Sequence, residues 1–238
     1  MIEQGGSQEG NTTGFEDNYS EELTQESFKE LQRLAFWSSR MGPEFYLIGG
    51  WAAWYYHRGL GSRDIDVVFP DKSLLDSFLQ TYYKQNGYEC VAGLLNKRFR
   101  KRVMVGGRAV FVEIDAASMD EGPPLKEDSS RNLPFTALEK FHGEWQIGQA
   151  TIKIPLPELL ILMKVKAHRD RSWTLDHEAV SPVEIAYLRG KIWKDGVDIR
   201  NLTAHIKKWN GVWKIAKKYD FDELAKDTFR NLRLKTNG

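Results

Sequence analysis

Two short stretches of this chain combine residue types suited to phosphate and metal chemistry. Gly49-Gly50 follows the apolar run Phe45-Tyr46-Leu47-Ile48 and precedes residues 51–58, which have the length and composition of a short helix. Glycines at a strand-to-helix junction let a phosphate approach the backbone, and the helix N-terminus adds free N–H groups and partial positive charge. Beyond them, Ser62-Arg63-Asp64-Ile65-Asp66-Val67 sets two carboxylates at alternate positions of a predicted strand, so Asp64 and Asp66 project side by side. Neighbouring like charges repel unless a cation neutralises them, and paired carboxylates are what a hard, oxygen-seeking Mg²⁺ takes. A later predicted strand, Val112-Glu113-Ile114-Asp115, offers two more acids on one face. Alone, Gly-Gly is an ordinary turn and Asp-x-Asp an ordinary exposed strand. In the order strand, Gly-Gly, helix, strand they describe a nucleoside-triphosphate site.

That order resembles the nucleotidyltransferase superfamily that includes DNA polymerase β, whose signature is GG or GS followed about a dozen residues later by D-x-D. The resemblance implies an α/β (α+β) nucleotidyltransferase fold, a small mixed β-sheet flanked by helices, followed by a helical C-terminal region. It also implies a third carboxylate from a later strand. Asp115 fits the family's apolar-D-apolar-apolar pattern, and Glu113 fits nearly as well. A second match, Lys164-Val165-Lys166-Ala167-His168-Arg169-Asp170-Arg171 followed by Lys194-Asp195-Gly196-Val197-Asp198-Ile199, resembles the motif pair of AbiEii-type toxin nucleotidyltransferases and related prokaryotic proteins. The chain departs from that pattern in a long insertion between Arg171 and Lys194, carrying Trp173, His177 and Pro182, and in Gly196, which interrupts the expected helix start.

The resemblance implies transfer of a nucleoside monophosphate from an NTP to an acceptor hydroxyl, with two Mg²⁺ (or Mn²⁺) ions as cofactors. Asp64, Asp66 and Asp115 or Glu113 would hold the ions, with Lys164 as a further catalytic residue. Gly49, Gly50, Ser62, Arg63, Lys164, Arg171 and Asp195 would bind the nucleotide. The acceptor would be RNA, tRNA or protein, with an antitoxin protein as partner. A small-molecule transferase of the antibiotic-modifying type, or a non-catalytic binding protein of the same fold, shares these motifs. Independently of the resemblance, Lys164, Ala167 and Arg171 lie one turn apart on a helical face, and Asp195 and Asp198 near a helix start would be favoured by its dipole. Salt bridging among these four charges is the structural alternative to a direct role.

Several elements must position these residues. A helix is expected from residue 20 to about residue 40, broken by Gly42-Pro43, then a strand at 45–48, a helix at 51–58, a strand at 64–69 and a helix at 72–85. Strands are expected at 88–94, 99–105 and 108–116, the last two joined by a Gly106-Gly107 hairpin. Residues 117–134, rich in Pro, Asp and Ser, form a candidate mobile flap, and short strands at 135–153 lead to Pro155 and a helical remainder. The organisation is a tail at 1–19, an α/β domain at 20–154 and a helical region at 155–238.

Composition excludes several classes. The 238 residues carry 34 Lys and Arg against 33 Asp and Glu, so a broadly basic nucleic-acid coat is excluded. The balance hides an acidic first 30 residues and a basic final third, which either faces a polyanion or solvates amphipathic helices. The densest basic run, Lys97-Arg98-Phe99-Arg100-Lys101-Arg102, either guides a nucleic acid with Phe99 stacking, or is a solvated edge strand. One cysteine, Cys90, rules out disulfides and cysteine zinc sites and reads as core filler. The five histidines show no ligand spacing and read as surface or boundary residues, while Trp51 and Trp54 beside Gly50 are candidates for a nucleobase pocket. No apolar run approaches the ~20 residues of a membrane span, and the N-terminal tail lacks signal-peptide features, so a cytoplasmic location is expected.

Overall fold

The computed structural model describes residues 20–91 and 97–236. The expected tail at 1–19 and residues 92–94 of the expected strand 88–94 lie outside them. Helix α1 (Glu21–Met41) starts where Ser20 accepts a hydrogen bond from the Leu23 N–H, with Glu21 and Glu22 in its first turn, and ends at Gly42 in the left-handed conformation. Strand β1 (Tyr46–Ile48) runs into α2 (Gly49–His57), then come β2 (Asp64–Phe69) and α3 (Lys72–Asn86). The second helix begins at the glycines themselves, two residues before its expected start. Strands β3 (Glu89–Cys90), β4 (Lys97–Val105) and β5 (Arg108–Ser118) follow, then β6 (His142–Ile147) and β7 (Ala150–Pro155).

The seven strands form one mixed sheet in the order β3-β4-β5-β2-β1-β7-β6. Strand β2 runs antiparallel to β1 and parallel to β5, and β5 runs antiparallel to β4. One core packs α1 and α3 on a sheet face through Leu31, Leu34, Leu47, Ile65, Val67, Phe78 and Ile114. A second core carries Val68 together with the helical C-terminal part, α4 (Pro157–His177), α5 (Pro182–Thr203), α6 (Trp209–Lys218) and α7 (Asp222–Asn231).

Four expectations change. The flap is anchored: Met119–Glu121 is a 3₁₀ turn, Leu125 and Leu133 are buried, and the Lys126 ammonium reaches Thr174 and Glu178 on and beside α4 at 2.6 and 2.7 Å. The expected strands at 135–153 begin instead with a 3₁₀ turn, Phe135–Glu139. Gly196 does not break a helix, because α5 is a single run of 22 residues, with Leu232 and Arg200 at ordinary contact distance at that position. Cys90 is exposed rather than core filler, since it sits on a two-residue strand at the edge of the sheet.

Candidate active site

The alternation of β2 divides its residues between two environments. Ile65, Val67 and Phe69 enter the core under α1 and α3, so Asp64, Asp66 and Val68 face the opposite layer. The register sets Asp66 beside Asp115 of β5 and Ile48 of β1, and Asp115 beside Arg98 of β4. This row of Ile48, Asp66, Asp115 and Arg98 lines a cavity of about 300 Å³. In the next row, Asp64 pairs with Glu113 and Glu113 with Arg100. Only Asp64 of that row lines the cavity, while the Glu113 carboxylate lies 3.6 Å from Arg63 Nη2. Of the two candidate third carboxylates, Asp115 is therefore the one that faces the cavity.

Gly49 packs directly on this acidic strand, and Gly50 packs on Ser62 just before it. At Gly49 (φ +67°) a Cβ atom would lie 1.9 Å from Asp66 Oδ2. At Gly50 it would lie 2.6 Å from Ser62 Oγ and 3.2 Å from Lys194 Nζ. Both positions exclude any side chain, which explains physically why the Gly-Gly and Asp-x-Asp stretches occur together. The helix α2 starts there without a side-chain cap, so its first N–H groups are left for other partners at the cavity wall.

The three carboxylates have unequal surroundings. Burial opposes ionisation of Asp64, but the Lys191 ammonium, bonded to its Oδ2, and Arg63, with Nε 3.0 Å from Oδ1, hold its carboxyl well below the usual carboxylate range. Asp115 accepts two bonds from Arg98, 2.7 Å from Nε and 3.1 Å from Nη2. Burial together with Asp64 and Glu113 still raises its carboxyl, against the pull of Arg98. Asp66 makes no ion pair with a described side chain, and burial, then Asp115 and Asp64, push its carboxyl up to about 6.

Helices α4 and α5 close the cavity with a buried charge network. The Lys164 ammonium lies 2.7 Å from Asp198 Oδ2 and 3.2 Å from Asp195 Oδ1. Arg171 bonds the other oxygen of Asp195, Lys194 donates to Asp198 at 3.0 Å, and His57 Nε2 lies 3.2 Å from Asp198 Oδ1. Burial lowers the Lys194 ammonium, whereas Asp198 and Asp195 raise that of Lys164 against its burial. Asp195 and Asp198 sit deep in the 22-residue helix α5, not near its N-terminus. Paired cations, rather than a helix dipole, therefore stabilise them. The His57 side chain is buried against Asp198 and is no surface residue.

Sequence reasoning assigned roles to residues that face elsewhere. Trp51 and Trp54 do not line the cavity. They pack with Phe28 of α1, and the Trp51 indole donates to Ser27 at 3.0 Å, because the helix turns them away from its glycine side. Phe99, partly buried against the core, stacks on Tyr83 at 3.6 Å, so that face of its ring is taken. The basic run is divided: Arg98 points to Asp115, Arg100 lies over Phe111, and Lys101 pairs with Glu30 at 2.9 Å. The sequence reading missed Lys191 and Tyr187, which line the cavity, and the apolar wall of Pro123, Leu133, Phe135, Leu160 and Met163. A helical stripe was legible, with Tyr187, Lys191, Lys194, Asp195 and Asp198 at spacings that return to one face.

The donor set, three carboxylates against two glycines, fits a hard divalent ion such as Mg²⁺ in its chemistry. Among the described residues no group of three or more His, Cys, Asp or Glu side chains is drawn together as a ready metal site. Lys191 and Arg98 stand on two of the three carboxylates.

The mixed sheet, the Gly-Gly turn on its acidic strand and the helical wall define the nucleotidyltransferase-like class of α/β folds. Among solved structures, the chain is similar to an antigenic nucleotidyltransferase-like protein from Paracoccidioides brasiliensis, with a TM-score of 0.51 and 14% identity over 87% of this chain and 94% of that one. It is more distantly similar to the antibiotic-resistance factor ANT(2'')-Ia, with a TM-score of 0.41 and 13% identity over 88% and 98% of the two chains. At such identities the likeness concerns the fold. No family model matches the sequence, and no curated protein does. Among the described residues, no helix is long and apolar enough to cross a membrane.

Proposed function

We propose that this chain is a Mg²⁺-dependent nucleotidyltransferase that moves a nucleoside monophosphate from an NTP to an acceptor hydroxyl. The observation that carries this reading is the packing of Gly49 onto Asp66, with Gly50 against Ser62, in a cavity shared with Asp64 and Asp115. Those three carboxylates would hold the metal, which supplies charge neutralisation of the phosphates and acidification of the acceptor hydroxyl. Gly49 and Gly50 at the start of α2, with the Ser62 hydroxyl beside them, bind phosphate oxygens. Arg171 and Lys164, the AbiEii-like pair, fix Asp195 and so hold the cationic face of α5 toward the cavity. Arg63 orients Asp64 from outside the cavity.

The acceptor reading turns on the basic strand. RNA, tRNA or an antitoxin-regulated target needs an electropositive track, but Arg98 and Arg100 are engaged within the sheet and Lys101 with Glu30 of α1. A cavity of about 300 Å³ with one apolar wall favours a small hydroxyl compound instead. Each labelled NTP is incubated with Mg²⁺ and either total RNA or a pool of small hydroxyl compounds. Label transferred to the small-molecule arm, and lost with Asp66→Asn, is the expected result. Absence of transfer and of NTP binding in both arms would overturn the reading.

A further inference from the structure

Two of the three cavity carboxylates are already neutralised by the protein itself. Both oxygens of Asp115 accept from the Arg98 fork, at 2.7 and 3.1 Å, which is the strongest geometry a guanidinium offers a carboxylate. On Asp64, Lys191 takes one oxygen and Arg63 the other. Asp66, between them, has no such partner among the described residues. The three cavity carboxylates thus face three cationic side chains, two of which, Arg63 and Arg98, also lie 3.6 and 4.0 Å from Glu113, so the site carries counter-ions of its own without any metal.

That balance has a consequence for ligand binding. A divalent ion bridging Asp66 and either neighbour must displace Lys191 or Arg98 from an oxygen. It would also add uncompensated positive charge to a largely buried site, which is costly. A nucleoside triphosphate, with about four negative charges, removes both obstacles at once. Its phosphate oxygens give the displaced ammonium and guanidinium new partners, and its charge offsets that of the metal.

Resting on the nucleotidyltransferase reading, we propose that Lys191 and Arg98 are resident counter-ions that compete with the divalent cation for Asp64 and Asp115. They pass to the triphosphate when it binds, so that metal and nucleotide enter together and neither enters well alone. Lys191 and Arg98 are then positioning residues whose work is to exchange partners. Lys191 is suited to this, since its flexible stem rises from α5 beside Tyr187, whose ring lies 5.5 Å from the ammonium. Arg98, on strand β4 and holding both oxygens of Asp115, makes the firmer pair.

The test is Mg²⁺ binding measured by calorimetry on the full chain, with and without a non-hydrolysable triphosphate analogue. Wild-type protein should bind Mg²⁺ weakly alone and at least about tenfold more tightly with the analogue, the scale of one charge pair in a partly buried site. Lys191→Gln should bind Mg²⁺ alone at least about tenfold more tightly than wild type, because one competitor has gone. Arg98→Gln repeats the comparison if Lys191→Gln fails to fold, and the wild-type comparison needs no variant. Equal Mg²⁺ affinity with and without analogue, and in wild type and variant, would overturn the counter-ion proposal while leaving a metal-dependent enzyme in place. Absence of Mg²⁺ uptake under every condition would overturn the metal-dependent reading and the counter-ion proposal with it.

Discussion

Asp66 is the carboxylate most exposed to its neighbours' charge and least compensated, so replacing it with Asn should stabilise the ligand-free protein. Its carboxyl is raised to about 6 from an ordinary value of 3.8, by burial first and then by Asp115 and Asp64. The folded protein therefore holds this proton more tightly than the unfolded chain does. Stability from this group is complete below about pH 4, falls as the unfolded carboxyl ionises, and levels off once the folded one does above about pH 6. The gap between the two values sets a ceiling of about 3 kcal/mol. Asp66 is half-buried and its oxygens reach the cavity, so water screens part of this, and about 1–2 kcal/mol is expected at pH 7.5. Asn keeps the shape, and no hydrogen bond to the Asp66 side chain from a described residue is lost. For a chain of this size the gain corresponds to a rise in Tm of about 3–6 °C. Thermal melts of both proteins at pH 4.5, 6.0 and 7.5 measure it, the other carboxylates being common to both. The difference should be smallest at pH 4.5, about a third of its full value, and largest at pH 7.5. A variant less stable than wild type at pH 7.5, or a difference that ignores pH, would refute the electrostatic account of the site.

Three further outcomes follow from the same geometry. Gly49→Ala must clear a 1.9 Å approach to Asp66 at positive φ, and should lose about 3 kcal/mol or more, whereas Gly107→Ala, with open space at φ +79°, should lose only about 1 kcal/mol in urea denaturation. Lys164→Met strips the buried Asp195 and Asp198 of a shared cation and should cost about 3 kcal/mol in chemical denaturation, so any loss of turnover must be compared at matched folded fraction. Loop 122–134 should resist limited proteolysis in the free protein and become cleavable in Arg169→Ala, which loses the pairs to Glu127 and Asp227. Cleavage in wild type at an equal rate would show that the anchors do not hold it.

Local pattern carried the sequence reading through the elements, with α3, β4 and β5 also close to their expected bounds, but not to the pairing between them. The alternation of Asp64 to Phe69, the Gly-Gly junction and the capping of α1 by Ser20 are short-range features, and each appears where expected. Asp115 could not be separated from Glu113 on β5 alone, because both share a face. The parallel register with β2 separates them by giving only one of them a place in the cavity-lining row. The cationic partners of the carboxylates were hidden for the same reason: Lys191 reaches Asp64 across 127 residues of sequence, and Arg98 reaches Asp115 only through strand pairing. Gly196 misled because helix propensity is a weak local bias, outweighed here by packing along α5. Cys90 misled because thiols are usually buried, while an edge strand leaves this one exposed.

The buried wall behind the cavity explains why the network of α4 and α5 is so large. Lys164, Arg171 and Lys194 face Asp195 and Asp198, so the cations outnumber the acids by one. A single pair would have served for helix packing alone, and two apolar residues would have served better, since buried ion pairs seldom stabilise a fold relative to apolar replacements. Lys194, which donates to Asp198, also stands close to the Gly-Gly turn. Lys194 Nζ lies 3.2 Å from where a side chain on Gly50 would begin, at the mouth of α2, and burial already disfavours its charge. An anion at the Gly-Gly turn would relieve that strain from one side, as it would occupy Lys191 and Arg98 from the other. The acidic strand and the cationic wall thus meet at the Gly-Gly turn, and the metal-bound triphosphate of the proposed function would bridge them.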